Sequence, residues 1–579
     1  MAKQDAFKPN WYEGSTLPGT YRSLFKWNNP DAFKHPSRGF YELLRDHFGL
    51  RDEDFTQPKL DMDPLDVEIP SRLKPAQLQE LTRLVGGESN VKTDTYSRTH
   101  ASYGAGMLDA LRLRARIVEN ICDAVLAPRD RADVEALVNY CDAQRIPVSI
   151  YGGGSTVTRG MEAPLGGVCL DMSVHMHRVL AFSEVNQTIT VEAGMWGPEL
   201  EDILNHAPER LGATDRFTLG HFPQSYEHSS VGGWVVTRGA GQNSTYYGKI
   251  EDLVIAQDYV TPIGRLQTQE YPRAATGPDF DQVMMGGEGT FGVLTSATLR
   301  LSKYRPENTR RFSYLFKTWE DAQRAYRQIM QGEFGFPSVF RLSDPEETDT
   351  AMHMYHIHGT PADTLLRKLG YQPMQRCMLL GTVDGEADFT RLVDKKVRSV
   401  CRRNGAFVLT PFKVTEKWEH SRFTDPYMRE DLMDYGLLID TLECAVNWQQ
   451  LPQVHRDVRK VAKARPDAIC MTHISHAYPQ GANLYFIFVI KFKSIDDYLR
   501  LQYDILEAIA RSGAAMSHHH GIGKQTAPWL EEQIGSACMD VIRTLKAHFD
   551  PHNIMNPGGT LGLDMNAEQA GKQWGFQKK

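Results

Sequence analysis

The sequence lacks several things that would narrow its class at once. Its eight cysteines are scattered and none forms a Cys-x-x-Cys pair, so neither a disulfide framework nor a zinc knuckle is expected, and a reducing compartment is the default. A net charge of −7 spread over 579 residues leaves no broad basic surface, so no nucleic acid partner is expected. No stretch approaches the ~18 uninterrupted apolar residues of a membrane span. The opening "MAKQDAFKPNWYEGS" has no apolar core of signal-peptide length, and the closing "FQKK" is neither an SKL-type address nor a lipidation signal. A soluble, cytoplasmic protein is the resulting expectation.

What is present is ordinary globular material, 41% hydrophobic and 24% charged, in a chain long enough for several domains at ~150 residues each. Residues 1–105 are rich in Pro, Asp and aromatics, with helices predicted at "SRGFYELLRDHFGL" and "KPAQLQELTRLVG", and read as a helical N-terminal extension. A first domain is predicted over 106–306. There "ENICDAVLAPRDRADVEALVNYCDAQRIPVSIYGGG" gives a strand, a helix begun by Asp130 or Asp133, and a buried strand ending in glycines. The strands "GVCLDM" and "TITVEAG" follow, then "DLVIAQDYVTPIGRL", a hairpin turning at Pro262 to Gly264. Over 307–535, helices such as "WEDAQRAYRQIMQ" and "DFTRLVDKKVRSVCRRNG" alternate with strands such as "RCMLLGTVDG" and "NLYFIFVIKFKS", a second α+β domain. "TAPWLEEQIGSACMDVIRTLKAHFD" reads as one final helix, and 536–579 as a helical tail returning to the first domain.

Two features carry chemistry. One is "SHHHGIGK": on a strand His518 and His520 would share a face and His519 would point away, while on a helix each would turn by ~100° from the last. Metal binding by His518 and His520, with His473 and His476 of "THISHAYPQG" as extra ligands, a purely structural row, and a row that hydrogen-bonds and moves protons near neutral pH are all open. The other is a set of three glycine-rich segments, "YGGGSTVT", "TLGHFPQSYEHSSVGGWVVTRGAGQNSTYYGKIEDLV" and "GGEGTFGVLTSATLRL". Adjacent glycines let backbone amides approach an anion without Cβ obstruction, and three such loops in one domain can wrap a long ligand carrying a diphosphate.

In order and spacing these segments resemble the flavoproteins of the vanillyl-alcohol oxidase and p-cresol methylhydroxylase type, over roughly residues 105 to 565. "QSYEHSSVGGWVVTR", "YGKIEDLV", "TGPD", "GGEGTFGV" and "SHHHGIGK" are most similar to the alkyldihydroxyacetonephosphate synthase branch of that family. The resemblance implies an α+β fold with a two-subdomain FAD-binding domain and an α+β cap domain for substrate. It places the FAD diphosphate at Tyr151, Gly152, Gly153, Gly154, Ser155 and Thr156. Along the cofactor it places Gln224, Glu227, His228, Ser229 and Ser230, then Thr237, Gly239 and Ala240. Gly286, Glu288, Gly289, Thr290 and Gly292, with Ile250, fall toward the adenine. No histidine occurs in residues 151–158, where many relatives attach the flavin, so the FAD is expected to be noncovalent.

By the same resemblance Tyr485 is the catalytic tyrosine, and His518, His519 and His520 hold substrate oxygens and help move a proton. Arg429 in "DPYMREDLMDYG" clamps the anionic substrate, and Arg341 in "SVFRLSD" is a second substrate arginine. From the residues alone, Tyr485 reads first as an aromatic packed in a sheet, Arg429 also as part of a solvated helix face, and Arg341 also as a tie to Asp344. A phenol with a pKa of ~10 serves as a base only if the site favours the phenolate. The implied reaction exchanges the acyl chain of acyl dihydroxyacetone phosphate for a fatty alcohol through an adduct at flavin N5. The alternative is an oxidase or dehydrogenase taking a hydride from an alcohol or 2-hydroxy acid. A small-molecule or lipid substrate, peripheral membrane contact and a homodimer go with the first.

Overall fold

The strand-helix-strand unit read from the sequence is built around the strand Val168–Asp171. Ala124–Leu126 and Val148–Tyr151 pair with it in parallel on either side, and Val91–Lys92 adds an antiparallel edge. The crossover helix Arg131–Gln144 starts where the Asp130 carboxylate accepts the Asp133 amide at 3.0 Å, and ends at Arg145 in the left-handed region. Its Val134, Leu137 and Val138 bury against Leu126, Val148 and Leu170. The free edge of Val148–Tyr151 is closed from far along the chain: the Val148 amide donates to Ile554 O at 2.7 Å, and the Asn556 amide donates to Val148 O at 2.8 Å.

A five-stranded antiparallel sheet follows, in the order Val179–Ser183, Thr188–Glu192, Val293–Arg300, Val254–Thr261, Gly264–Gln267. The predicted hairpin is its last pair, with Thr261 opposite Gly264. Both sheets belong to one compact unit made of residues 64–305 and 516–579. The final helix read from the sequence is two, Ala527–Ile534 and Ser536–Phe549. Gly535 between them has φ +84°, which a continuous α-helix does not accommodate. This computed structural model describes residues 8–572, so the opening "MAKQDAF" and the closing "FQKK" lie outside the described residues. Among the described residues no helix is long and apolar enough to cross a membrane.

The second unit comprises residues 1–63 and 306–515. Its eight-stranded sheet is antiparallel and runs Phe407–Val408, Arg310–Phe316, Cys377–Val383, Phe340–Ser343, Ile469–Ile474, Gly481–Lys491, Leu437–Asn447, with Ala477–Tyr478 beside Gly481–Lys491. Amphipathic helices such as Trp319–Met330, Ala387–Arg403 and Ile495–Arg511 follow the strands; the last buries Tyr498, Leu501, Ile505 and Ile509 at helical spacing.

Residues 1–105, expected as one extension, divide between the units at Asp63 and Pro64. The reason lies in what their apolar groups meet. Phe40, Tyr41, Leu44 and Phe55 pack with Met428, Leu432, Leu437 and Val489 of the large sheet's unit, each such buried side chain worth ~1.5–3 kcal/mol. Leu81 and Val85 instead join the core around Val134 and Val148. The later division falls at Ala515 and Met516, so the histidine row belongs to the unit of the glycine-rich loops.

Candidate functional site

The three glycine-rich segments meet within the first unit, and their glycines are required by the closeness of that meeting. A Cβ on Gly152 would lie 2.5 Å from Ser230 Oγ, and one on Gly153 would lie 2.4 Å from His228 O. Gly154, Gly286 and Gly289 have φ of +69°, +82° and +76°, values that favour glycine. Ser230 caps the short helix Val231–Val236 by accepting the Gly233 amide, and Ser229 Oγ accepts the Trp234 indole N–H at 2.7 Å. Thr237 Oγ1 donates back to Gly233 O, and the Ile250 amide donates to Gly239 O at 3.2 Å. Ala240 and Thr290 are buried, while Ser155 and Thr156 are half-buried at the loop's open end. Gln224 accepts from Gln242 Nε2 at 3.0 Å, and Glu227 is exposed. Ile250 is buried among apolar side chains, so any contact it makes with a ligand is through its backbone or its edge. Gly292, at φ +157°, sits with no room for a Cβ beside Val260 O.

The sequence reading missed His221. It is 1% exposed, tilted against the Trp234 ring at 4.8 Å, and neither ring nitrogen has a hydrogen-bond partner among the described residues. Burial, with Lys249 nearby, pushes its pKa down to about 3, so it is neutral. A buried imidazole with both nitrogens unmet costs free energy unless a ligand supplies the partners. Together with the Cβ-free cradle, it fits a dinucleotide carrying polar ring edges. The signal was in the sequence as "LGHFP", between glycines and upstream of "SSVGG", but a lone histidine there reads as a loop residue.

The histidine row lies in this unit and is neither strand nor helix. Residues 518–520 form consecutive bends, with successive rings edge to face at 5.4 Å and 4.6 Å, so the alternation of a strand does not apply. His518 Nδ1 and His519 Nδ1 are 3.1 Å apart, a spacing that requires one to carry a proton and the other to accept it. The Lys249 ammonium donates to His518 O at 2.7 Å. On the other side, the Glu288 carboxylate accepts the Ile522 and Gly523 amides, each at 2.7 Å. Burial pushes Glu288 up to about 7 in spite of these two amides and Lys524. Lys524 is buried, donates to Asn556 Oδ1 and Thr560 Oγ1, and is brought down to about 8 by burial.

The remaining expected residues belong to the second unit. Strand register sets Tyr485 between Glu443 and His473, and His473 next to Ser343. The His473 and Tyr485 rings stack at 4.9 Å and 15°. The Tyr485 hydroxyl donates to Thr441 Oγ1 at 3.1 Å, and burial pushes the phenol up to about 12. That is opposite to the direction a standing phenolate base needs. Arg341 Nη2 lies 2.5 Å from Glu347 Oε1 and 3.0 Å from His473 Nδ1, and the same Nδ1 lies 3.1 Å from Glu347 Oε2. One nitrogen cannot accept from the guanidinium and donate to the carboxylate at once, so the imidazole is poised between two proton positions. Burial and then Arg341 hold the His473 pKa below its ordinary value. Burial would raise Glu347, but His473 and Arg341 outweigh it and keep the carboxyl ionised.

Arg341 therefore does not tie Asp344, which is held by His455 at 3.1 Å and Arg459 at 2.8 Å. His473 also makes a poor metal ligand beside a guanidinium. Arg429 is not on a solvated face: its side chain is 11% exposed, its guanidinium lies over Trp27 at 5.6 Å, and its Nη2 donates to Glu430 at 3.2 Å. Sequence reasoning did not single out Glu347 and took His473 only as an extra metal ligand; cross-strand neighbours are invisible without the register.

Comparisons with known proteins bear on the family and the fold. Residues 122–269 match the FAD binding domain family, and residues 305–560 match the family of FAD linked oxidases, C-terminal domain. Alkyldihydroxyacetonephosphate synthase of Dictyostelium discoideum is 28% identical over 545 residues, covering 90% of this chain and 86% of that protein. The protein of the same name from Trypanosoma brucei brucei is 27% identical, covering 83% and 79%. A solved structure of an alkyldihydroxyacetonephosphate synthase superposes with a TM-score of 0.76 over 93% of this chain and 99% of that one; at 24% identity, it speaks to the fold.

Proposed function

Because the chain belongs to the FAD-linked oxidases of the vanillyl-alcohol oxidase and p-cresol methylhydroxylase type, and binds FAD, we propose that it acts as an alkyldihydroxyacetonephosphate synthase. It would exchange the acyl chain of an acyl dihydroxyacetone phosphate for a fatty alcohol. The observation that carries this reading is the 28% identity to such a synthase over 90% of the chain. Bound FAD supplies an electron-accepting ring that lets a carbon–oxygen bond be exchanged without net redox. The loops 151–156, 228–230 and 286–292, with His221, would hold it.

The protein's own groups then have separable tasks. Arg429, fixed over Trp27, takes the substrate phosphate by charge-assisted hydrogen bonds. Tyr485, neutral at physiological pH because of burial, gives a proton or a strong hydrogen bond to an oxygen on which negative charge develops. The stacked His473, bridging Arg341 and Glu347, fixes the phenol's ring. His518 to His520 hold substrate oxygens and accept the proton lost beside the ketone. The absence of a histidine in residues 151–158 supports noncovalent FAD. We further place the enzyme in the cytoplasm as a homodimer that meets its lipid substrate at a membrane surface.

The deciding experiment incubates purified yellow protein with palmitoyl dihydroxyacetone phosphate and hexadecanol. Alkyl product with release of one palmitate per turnover and no lasting flavin bleaching is expected. Bleaching by simple alcohols or 2-hydroxy acids, without alkyl product, would overturn this reading in favour of the oxidase or dehydrogenase.

A further inference from the structure

The turn that follows the histidine row is fastened to two of the three cofactor loops. Glu288, from the "GGEGTFGV" segment, turns its carboxylate onto the backbone of residues 522 and 523 and accepts one amide on each oxygen, both at 2.7 Å. Thr158 O, just beyond the "YGGGST" loop, accepts the Lys524 and Gln525 amides at 3.1 Å. The glycines of "GIG" follow from this closeness. A Cβ on Gly521 would lie 2.9 Å from Glu288 Oε1, and one on Gly523 would lie 2.1 Å from Thr158 O; both glycines also have positive φ, +82° and +55°. Upstream, the Lys249 ammonium, 11% exposed and paired with Glu251 at 3.2 Å, grips His518 O at 2.7 Å. Glu288 is held in turn, for Asn556 Nδ2 donates to its carbonyl at 2.7 Å and its amide donates to Val236 O at 3.0 Å.

We infer that Glu288 and Lys249 are a pair of positioning residues that fix His518 to His520 from its two ends, and that Glu288 serves this purpose rather than holding the cofactor directly. A carboxylate is ill suited to a diphosphate cradle, because like charges repel, whereas it satisfies two adjacent amides well. Three imidazoles in consecutive bends have no ladder to hold their backbone, so anchors on either side fix the path from which the rings project. The inference rests on the assignment of substrate chemistry to the row, and its test separates the two.

Glu288→Gln keeps the size but turns one accepting oxygen into an NH2 group facing an amide donor. Lys249→Met removes the other anchor, and Lys249→Arg keeps a donor there. In the FAD-loaded protein, hydrogen exchange of peptides spanning 516–525 should accelerate by about tenfold or more in Glu288→Gln and Lys249→Met, with the rest of the map unchanged. Flavin content should match wild type, kcat should fall by about tenfold or more with KM little changed, and Lys249→Arg should recover much of the loss. Unaltered exchange across 516–525 overturns the clamp, as does flavin loss that parallels the loss of turnover. Faster exchange with wild-type kcat overturns the positioning role by removing the row from the reaction. Should Glu288→Gln fail to fold, the Lys249 pair carries the test; should wild type show no acyl exchange, the hydrogen-exchange rates still decide the clamp.

Discussion

Replacing Tyr485 by phenylalanine separates an acid from a base. The substitution keeps the ring stacked on His473 and removes the hydrogen bond from the hydroxyl to Thr441 Oγ1 at 3.1 Å. That bond is worth ~0.5–1.5 kcal/mol net, so melting should drop only by a few degrees at roughly 2–4 °C per kcal/mol. Turnover should fall far more, by ~10²–10⁴-fold, the usual contribution of one positioned proton-transfer group. In wild type the phenol is pushed up to about 12 by burial, so at pH 9 about one molecule in a thousand is ionised. A standing phenolate base would make kcat climb tenfold per pH unit between about pH 7 and 9, whereas a neutral donor contributes no slope there. The assay is palmitate release from palmitoyl dihydroxyacetone phosphate, run across that range for both proteins. A Tyr485→Phe protein retaining more than about a third of wild-type kcat, or a unit slope in wild type that the substitution abolishes, would refute the acid role.

Arg429→Leu should raise KM for the phosphate-bearing substrate by ~10–150-fold, from charge-assisted bonds worth ~1.5–3 kcal/mol, with flavin retained; unchanged substrate dependence in a folded yellow protein removes Arg429 from the site. Acid precipitation should leave the yellow colour in the supernatant, and flavin in the pellet would contradict noncovalent binding. Gly153→Ala should yield protein short of flavin, since the new Cβ meets His228 O at 2.4 Å; full flavin occupancy would show that the loop relaxes. Arg341→Met should destabilise most above neutral pH. In wild type the His473 pKa is depressed, so this group costs stability as pH falls below its unfolded value of ~6.5. Losing Arg341 raises that pKa and lets protonated His473 pair with Glu347, so the variant's melting deficit should narrow from about pH 8 to about pH 5.5; a constant deficit excludes the linkage.

The dinucleotide unit was readable because its signals are local. The strand before "YGGG" is a run of apolar residues, Asp130 caps the crossover helix, and Pro262 to Gly264 makes a hairpin turn, each decided within a few neighbours. Legibility ended where partners are distant in sequence. His473 and Tyr485 are stacked because two antiparallel strands share a register, and Glu347 reaches them from a helix after a third strand. Nothing in "THISH" distinguishes that from a metal ligand pair. Likewise His221 stands out only once its surroundings are seen to offer no hydrogen-bond partner among the described residues. The single final helix was overread because Gly535 sits in an otherwise helical pattern, and glycine alone does not reveal that φ is +84°.

The closure of Val148–Tyr151 by Ile554 to Asn556 bears on how the protein is made. The ribosome delivers the strand that launches the first glycine loop some four hundred residues before the segment that seals its edge. Until then that edge is an unpaired strand, the kind of surface along which nascent chains mispair. In chain order the large-sheet unit is finished first, at Ala515, and the cofactor unit is completed only by the residues from Met516 onward. FAD capture is therefore expected only once residues 554–556 have emerged and paired with Val148. Loss of even the final thirty or so residues should yield colourless, chaperone-bound chain rather than a weakened enzyme.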